Sequence, residues 1–405
     1  MFNLDTPQTR ELNYLTKFAG WYIPEENLPL GAEVKLNIYL NGKPYAALLH
    51  GGDRPDVAKV FPNQKNAPHS GFWGELLLPE TLQPESEIEI EIIAESNPPK
   101  SLYKNQFKVI GKPEIFPERE KIFNLEEILK CPVCDHSFSP TNNPSVKSVT
   151  KSAANQTFFP TKNPNLNCPQ KNCPIWKRGN ALHFLQPKDA PFTRLTEPQK
   201  THPYSEAILK VLDKIGTQGI VLDFGAGNTQ KEYLKPNICY LEVQQYPFTD
   251  LVCNTQKLPF ADNSFDGVIS HAVFEHIPNP FITAKELYRI LKPGGLIFID
   301  TAFLQPFHSD PNHYFNMTIQ GLRQIMSDFE EINSGILEHH YPSYSLMMLI
   351  RIIWPHLEQK QWQDRLANWH EFLVREGDNL DEMLGKKGRE ILAAGVFFEG
   401  KKPSP

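Results

Sequence analysis

Apolar and polar positions alternate through the first hundred residues. In "EVKLNIYLNGKPYAALL", Val34, Leu36, Ile38 and Leu40 share one face, and Asn41-Gly42 supplies the residue pair that a two-residue hairpin turn needs. "SEIEIEIIAES" sets Ile88, Ile90 and Ile92 against Glu87, Glu89 and Glu91. One dry face and one wet face predict an antiparallel all-β sandwich. From about Pro203 the pattern changes. Short apolar runs ("VLDF", "ICYLEV", "DLVCN", "DGVISHA", "GLIFIDTA") alternate with helical spacing in "YSEAILKVLDKI" and "NPFITAKELYRILKPGG". In the latter, Phe281, Ala284, Leu287 and Ile290 take core-facing positions, and Pro293-Gly294-Gly295 ends the helix. This alternation predicts a parallel α/β sheet. "FEEINSGIL" and "AAGVFFEGKK" read as its last two strands, with a mostly helical stretch between them.

A chain of 405 residues is long for one core, and its 36 prolines suit extended connectors. The organisation expected is a β-sandwich over 1–112, a small cysteine-bearing domain over 113–192 and an α/β domain over 193–405. In the first, "GGDRPDVAKVFPN" and "SGFWGEL" resemble an immunoglobulin-like module of bacterial multidomain proteins associated with cell-surface sugars. The resemblance implies an accessory role, with a possible protein partner docking through this module. Trp21, Arg54, Asp56 and Trp73 are read as packing residues. A formal charge of -6 counts against wholesale binding to a phosphate backbone. The start lacks the basic flank and apolar run of a signal peptide. "SLMMLIRIIWP" is too short to span a bilayer, so the cytoplasm is the expected location.

In the middle region "CPVC" is followed, after a polar insertion, by "CPQKNCP". Two tight turns carrying Cys131 with Cys134 and Cys168 with Cys173 can close a tetrahedral zinc site, with His136 or His183 as substitutes for a thiolate. Together with "ALHFLQP" the segment resembles the small zinc-ribbon-like domain found alone or fused in methyltransferase systems. Four thiolates leave no open position, so such a zinc is structural. Cys239 and Cys253, in strand-like surroundings, are read as buried and inert.

Several signals in the last region occur in order. "VLDFGAGNTQ" is a strand running into a glycine turn, with Gln230 where a dinucleotide site would carry a third glycine. Glu242 ends the next strand. "NTQKLPFADNSFDGVIS", "HAVFEHIPNP" and "YRILKPGG" follow. This series, from Pro203 to Lys402, resembles the class I S-adenosylmethionine (SAM) methyltransferases of the type 11 kind. The resemblance implies a Rossmann-like fold and SAM as cofactor. Its binding residues would be Asp223, Gly225, Ala226, Gly227, Glu242, Asn254, Thr255, Leu258 and His271. Glu242 would accept the ribose hydroxyls, and Asn254 stands where relatives carry an aspartate that meets the adenine amine.

Ligands of open α/β sheets lie beyond the carboxyl ends of the strands. The segments after the fourth and fifth strands should therefore face the acceptor. They contribute Glu275, His276, Asp310 and Tyr314 as substrate residues, and His308 or His313 as the base that an oxygen acceptor needs. His308, Asp310 and His313 as a metal triad is a third-ranked alternative, behind a substrate pocket and a buried hydrogen-bond network. The function expected is methylation of a small-molecule or glycan acceptor at oxygen. Two readings compete with it. One is an RNA or protein methyltransferase recruited through the zinc domain; the other is a catalytically silent protein that keeps the fold.

Overall fold

The structure is a computed structural model that describes residues 1–24, 34–79, 82–96, 98–111, 121–135, 137, 175–179, 181–185, 203–228, 234–308 and 312–404. The N-terminal unit contains β1 (Phe2–Thr6), β2 (Glu11–Leu12), β3 (Leu15–Tyr22), β4 (Leu36–Leu40) and β5 (Lys43–Gly52). The short helix α1 (Pro55–Val60) precedes β6 (Gly71–Leu77), β7 (Glu87–Ala94) and β8 (Lys100–Val109). The alternation behaves as expected: Ile88, Ile90 and Ile92 are buried on β7, and Asn41 and Gly42 turn the β4–β5 hairpin at φ +48° and +74°. The strands form one hydrogen-bonded order, β1-β3-β6-β5-β4-β7-β8-β2, rather than two separate sheets. The long β5 makes this possible by pairing with β4 through its first half and with β6 through its last residues. The sheet folds back on itself, because Phe18 of β3 meets Phe107 of β8 edge to face at 6.5 Å although these strands are far apart in the order. Trp21 packs on Phe61, and Arg54 holds Asp5 and Asp56, both structural roles.

The second sheet has nine strands in the order β16-β17-β15-β14-β11-β12-β13-β10-β9. Its parallel centre is β13 (Leu251–Val252), β12 (Ile238–Glu242), β11 (Val221–Phe224), β14 (Phe265–His271) and β15 (Leu291–Ala302). At one edge lie β17 (Gly395–Lys401) and β16 (Glu330–Gly335), with β17 antiparallel to both neighbours. All four residues of β11 are buried, as a strand covered on both faces requires. Helix α3 (Glu206–Ile215), capped by Ser205, covers one face with Ile208, Val211 and Leu212. On the other face α4 (Pro280–Ile290) contributes Ala284, Leu287 and Ile290. Phe281, expected to face the core, is 51% exposed. Pro280 opens the helix and the buried stripe runs through Pro280, Thr283, Ala284, Leu287 and Ile290 instead. The turn at Pro293 to Gly295 lies within β15 as a bulge, between the pairs Phe265–Leu291 and Gly267–Leu296. Helices α5 (Ile319–Ile325), α6 (Pro342–Ile353), α7 (Lys360–Met383) and α8 (Gly385–Leu392) complete the unit. No helix among the described residues is long and apolar enough to cross a membrane.

The described part of the cysteine-bearing region is built into this second sheet. One helical turn, α2 (Leu125–Ile128), precedes Cys131, and the hairpin β9 (Trp176–Arg178) and β10 (Ala181–His183) extends the sheet, β10 running parallel to β13. The β12–β13 connection beside it is short. Residues 243–250 are fewer than a covering crossover helix needs. Leu129, Cys131, Ile175, Leu182 and Phe184 fill the core there, and Lys121 pairs with Asp250 at 2.7 Å. The hairpin also touches the N-terminal unit: the Arg178 guanidinium lies over the Tyr45 ring and donates to the Tyr45 carbonyl oxygen at 3.1 Å.

Candidate functional site

The chain passes from β13 back across β11 to β14, so the order reverses between β11 and β14. Their carboxyl ends open a crevice where such sheets bind ligands. After β11 the turn places Gly225 at φ +78° and Gly227 at φ +60°, and the N–H groups of Gly225 and Ala226 both donate to the Leu241 carbonyl oxygen. Glu242, at the end of β12, ties the turn down. Its carboxylate accepts from Gly227 N–H at 2.6 Å and Val243 N–H at 2.8 Å. Gln230 lies outside the described residues.

Asp223 is 3% exposed and accepts from the Tyr204 hydroxyl at 2.5 Å. Burial pushes its carboxyl up to about 7; the Tyr204 hydrogen bond opposes the shift, and the Glu242 charge adds to it. The sign of the resulting pH dependence follows from proton counting. Between the ordinary aspartate pKa and about 7 the unfolded chain has released this proton and the folded chain has not. Stability therefore falls as pH rises through that window, by roughly 4 kcal/mol in all. Asp223→Asn should flatten this slope in urea denaturation between pH 4 and 7. An unchanged slope would show that the carboxyl does not titrate there.

On β14, His271 faces Asp300 of β15, with Nδ1 at 2.7 Å from both carboxylate oxygens. Asp300 is 1% exposed and also accepts from Ala272 N–H, holding Ala272 at φ +53°, a costly backbone for a residue with a Cβ. Burial, the largest single cause, lowers the His271 pKa, but the Asp300 charge and hydrogen bond, with the charges of Asp223 and Glu275, together outweigh it and the pKa is raised. Burial likewise pushes Asp300 up, and the facing His271 wins and lowers it. His339 lies edge-on to His271 at 5.7 Å, and the buried His340 is lowered to about 3, first by burial. The sequence pattern misses Asp300, although an acid inside "GLIFIDTA" is a legible signal; Tyr204 and His339 carry none.

A second group follows β14. Glu275, 1% exposed, accepts from the Thr301 hydroxyl at 2.8 Å. Its carbonyl oxygen takes the N–H of Tyr314 and of Phe315, and His276 Nδ1 meets the Asn312 carbonyl oxygen at 2.5 Å. The loop after β15 is thereby stitched to this turn. His276, His308 and His313 cluster, with ring centres 4.3 to 5.9 Å apart.

Three of the expected residues have protein partners of their own. His313 Nδ1 accepts from His308 N–H, and Nε2 faces the Phe315 carbonyl and the Asn316 amide oxygen. The Leu258 side chain is in the core, its N–H goes to Glu286 and its carbonyl oxygen to Arg289. Tyr314 binds the Glu275 turn through its backbone and leaves its ring half exposed. Asn254 is exposed on the crevice rim, its amide oxygen accepting from Gln256 N–H, and Thr255 accepts from Thr283. Asp310, His136, Cys168 and Cys173 lie outside the described residues. Cys131 and Cys134 occupy one tight turn, closed by Asp135 N–H on the Cys131 carbonyl oxygen with Asp135 at φ +57°. His183 is buried and bonds Gln245. Cys239 and Cys253 are buried as expected, and burial raises the Cys253 thiol.

The turn, the acid on the next strand and the strand order agree with what comparison finds. Residues 209–299 match the methyltransferase domain family. Curated relatives align over short stretches. An uncharacterized methyltransferase of Mycobacteroides abscessus is 38% identical over 77 residues, 18% of this chain and 30% of the relative. One from Mycobacterium tuberculosis is 47% identical over 51 residues, 12% and 20% of the two chains. The chain thus spans less than a third of either relative's length. Among solved structures, a putative sarcosine dimethylglycine methyltransferase from Galdieria sulphuraria is similar at 16% identity, covering 49% of this chain and 83% of that one, with a TM-score of 0.33. The C-terminal unit has a Rossmann-like methyltransferase fold.

Proposed function

We propose that this unit binds SAM in the crevice above β11, β12 and β14 and transfers the methyl group to oxygen of a small-molecule or glycan acceptor. The observation that carries the reading is the Glu242 carboxylate, an acid at the end of β12 bound to the glycine turn that follows β11. A turn with no side chain at Gly225 and Gly227 lets the cofactor's amino-acid part approach the backbone. SAM needs no third glycine, because it has no pyrophosphate.

Methyl transfer is an in-line displacement at the sulfonium carbon, so alignment does most of the work, and an oxygen acceptor must also lose its proton. In this reading His271 takes that proton, since Asp300 fixes its Nδ1–H and stabilises the imidazolium that forms. Cys131 and Cys134, with Cys168 and Cys173, would hold a structural zinc, as the tight Cys131–Cys134 turn supports.

The test is methyl transfer from tritiated SAM into fractionated cell extract. Label is expected in small-molecule or glycan fractions, with a rate that rises through an apparent pKa above the ordinary histidine value of 6.5, because the base must be neutral. Label confined to RNA or protein would overturn the acceptor class, and no label with SAM bound would favour a silent protein.

A further inference from the structure

The described residues bring two groups of metal-capable side chains together: His271 with Asp300 and His339, and Glu275 with His276 and His308. The first is a hydrogen-bonded pair. A nitrogen 2.7 Å from both carboxylate oxygens leaves no space for an ion between them.

The second group differs. Glu275 is a buried carboxylate whose side-chain partner is the Thr301 hydroxyl, and among the described residues no lysine or arginine pairs with it. A buried charge so placed is costly unless a cation offsets it. Both histidines turn Nδ1 to a backbone carbonyl oxygen, His276 to Asn312 at 2.5 Å and His308 to Pro306 at 3.0 Å. A carbonyl can only accept, so each neutral ring holds its proton on Nδ1 and keeps the lone pair on Nε2. Metal-binding histidines are commonly fixed this way by their outer hydrogen bond. One ligand atom from each of the three residues lies within 4.8 Å of the others. Bonds of about 2.1 Å to a shared tetrahedral ion set the ligand atoms about 3.4 Å apart, so they would have to close by at most roughly 1.5 Å. His313 backs the arrangement by accepting the His308 N–H at 3.2 Å.

We infer that Glu275, His276 and His308 bind one first-row divalent transition-metal ion. Two imidazoles and a carboxylate suit zinc, cobalt, manganese or iron better than magnesium or calcium, and three protein ligands leave positions open for a small oxygen ligand. Occupancy does not depend on methyl transfer. Only the ion's role, holding an acceptor's vicinal hydroxyls beside the crevice, rests on the reading above.

Cobalt(II) titration of the full-length protein tests the site through its visible spectrum. Binding without sulfur charge transfer separates this site from the cysteines. Such a band is expected in the wild type and absent in His276→Ala and His308→Gln, with SAM affinity by calorimetry unchanged in both. A wild type without the band, or variants that keep it, would overturn the inference. If a histidine variant loses SAM binding as well, Thr301→Val decides: cobalt affinity roughly tenfold weaker supports the site, and unchanged affinity refutes it. Cobalt binding in a wild type that does not bind SAM would sink the methyltransferase proposal and leave the metal site standing.

Discussion

Gly225→Ala is expected to remove SAM binding and to destabilise the C-terminal unit by about 3 kcal/mol. Two costs add. At φ +78° a residue with a Cβ meets its own backbone, and the new Cβ would overlap Val273 Cγ2 while lying 2.8 Å from Cγ1 and 3.1 Å from Cβ. Val273 belongs to the segment leaving β14, so the clash pushes apart the two strand ends that form the crevice. Gly227→Ala is the matched control. Its φ is +60°, but among the described residues no atom beyond its chain neighbours lies within 4 Å of the added Cβ, which leaves a backbone cost of about 1–2 kcal/mol. Urea denaturation should separate the variants. Equal losses would show that the Val273 contact does not set the turn.

The second large effect belongs to Glu242. Glu242→Ala should weaken SAM binding at least about a hundredfold, since charged hydrogen bonds contribute roughly 1.5–3 kcal/mol each and two ribose hydroxyls are involved. The substitution also frees the N–H groups of Gly227 and Val243, loosening the turn from the ligand's other side. Isothermal calorimetry with SAM and S-adenosylhomocysteine measures the loss. A variant that binds SAM as the wild type does would remove the observation on which the proposed function stands.

The sheet and the cofactor crevice were largely legible in the sequence, for a physical reason. Buried parallel strands are continuous apolar runs, and the turn that ends β11 must carry glycines because its backbone is left-handed. Where one side chain had to be placed, periodicity was less reliable. The α4 stripe is shifted because Pro280 sets the helix start, which leaves Phe281 exposed. The histidines were legible as a group, but their roles were not. A role depends on which nitrogen is already bonded, and that is decided by carbonyls of Pro306, Asn312 and Phe315, which sequence pattern does not place. The Asp300 pairing with His271 needs the register of β14 against β15.

The parallel seam between β10 and β13 bears on how the chain is made. Translation delivers β10 before the strand it borders, so the hairpin emerges with one edge unpaired and waits for its partner. An excised fragment starting at residue 203 would meet the converse problem, a β13 edge with bare backbone donors and acceptors and no Leu182 or Phe184 beside it. The match to the methyltransferase family spans residues 209–299, but the sheet and core that this segment belongs to extend upstream into the cysteine-bearing region.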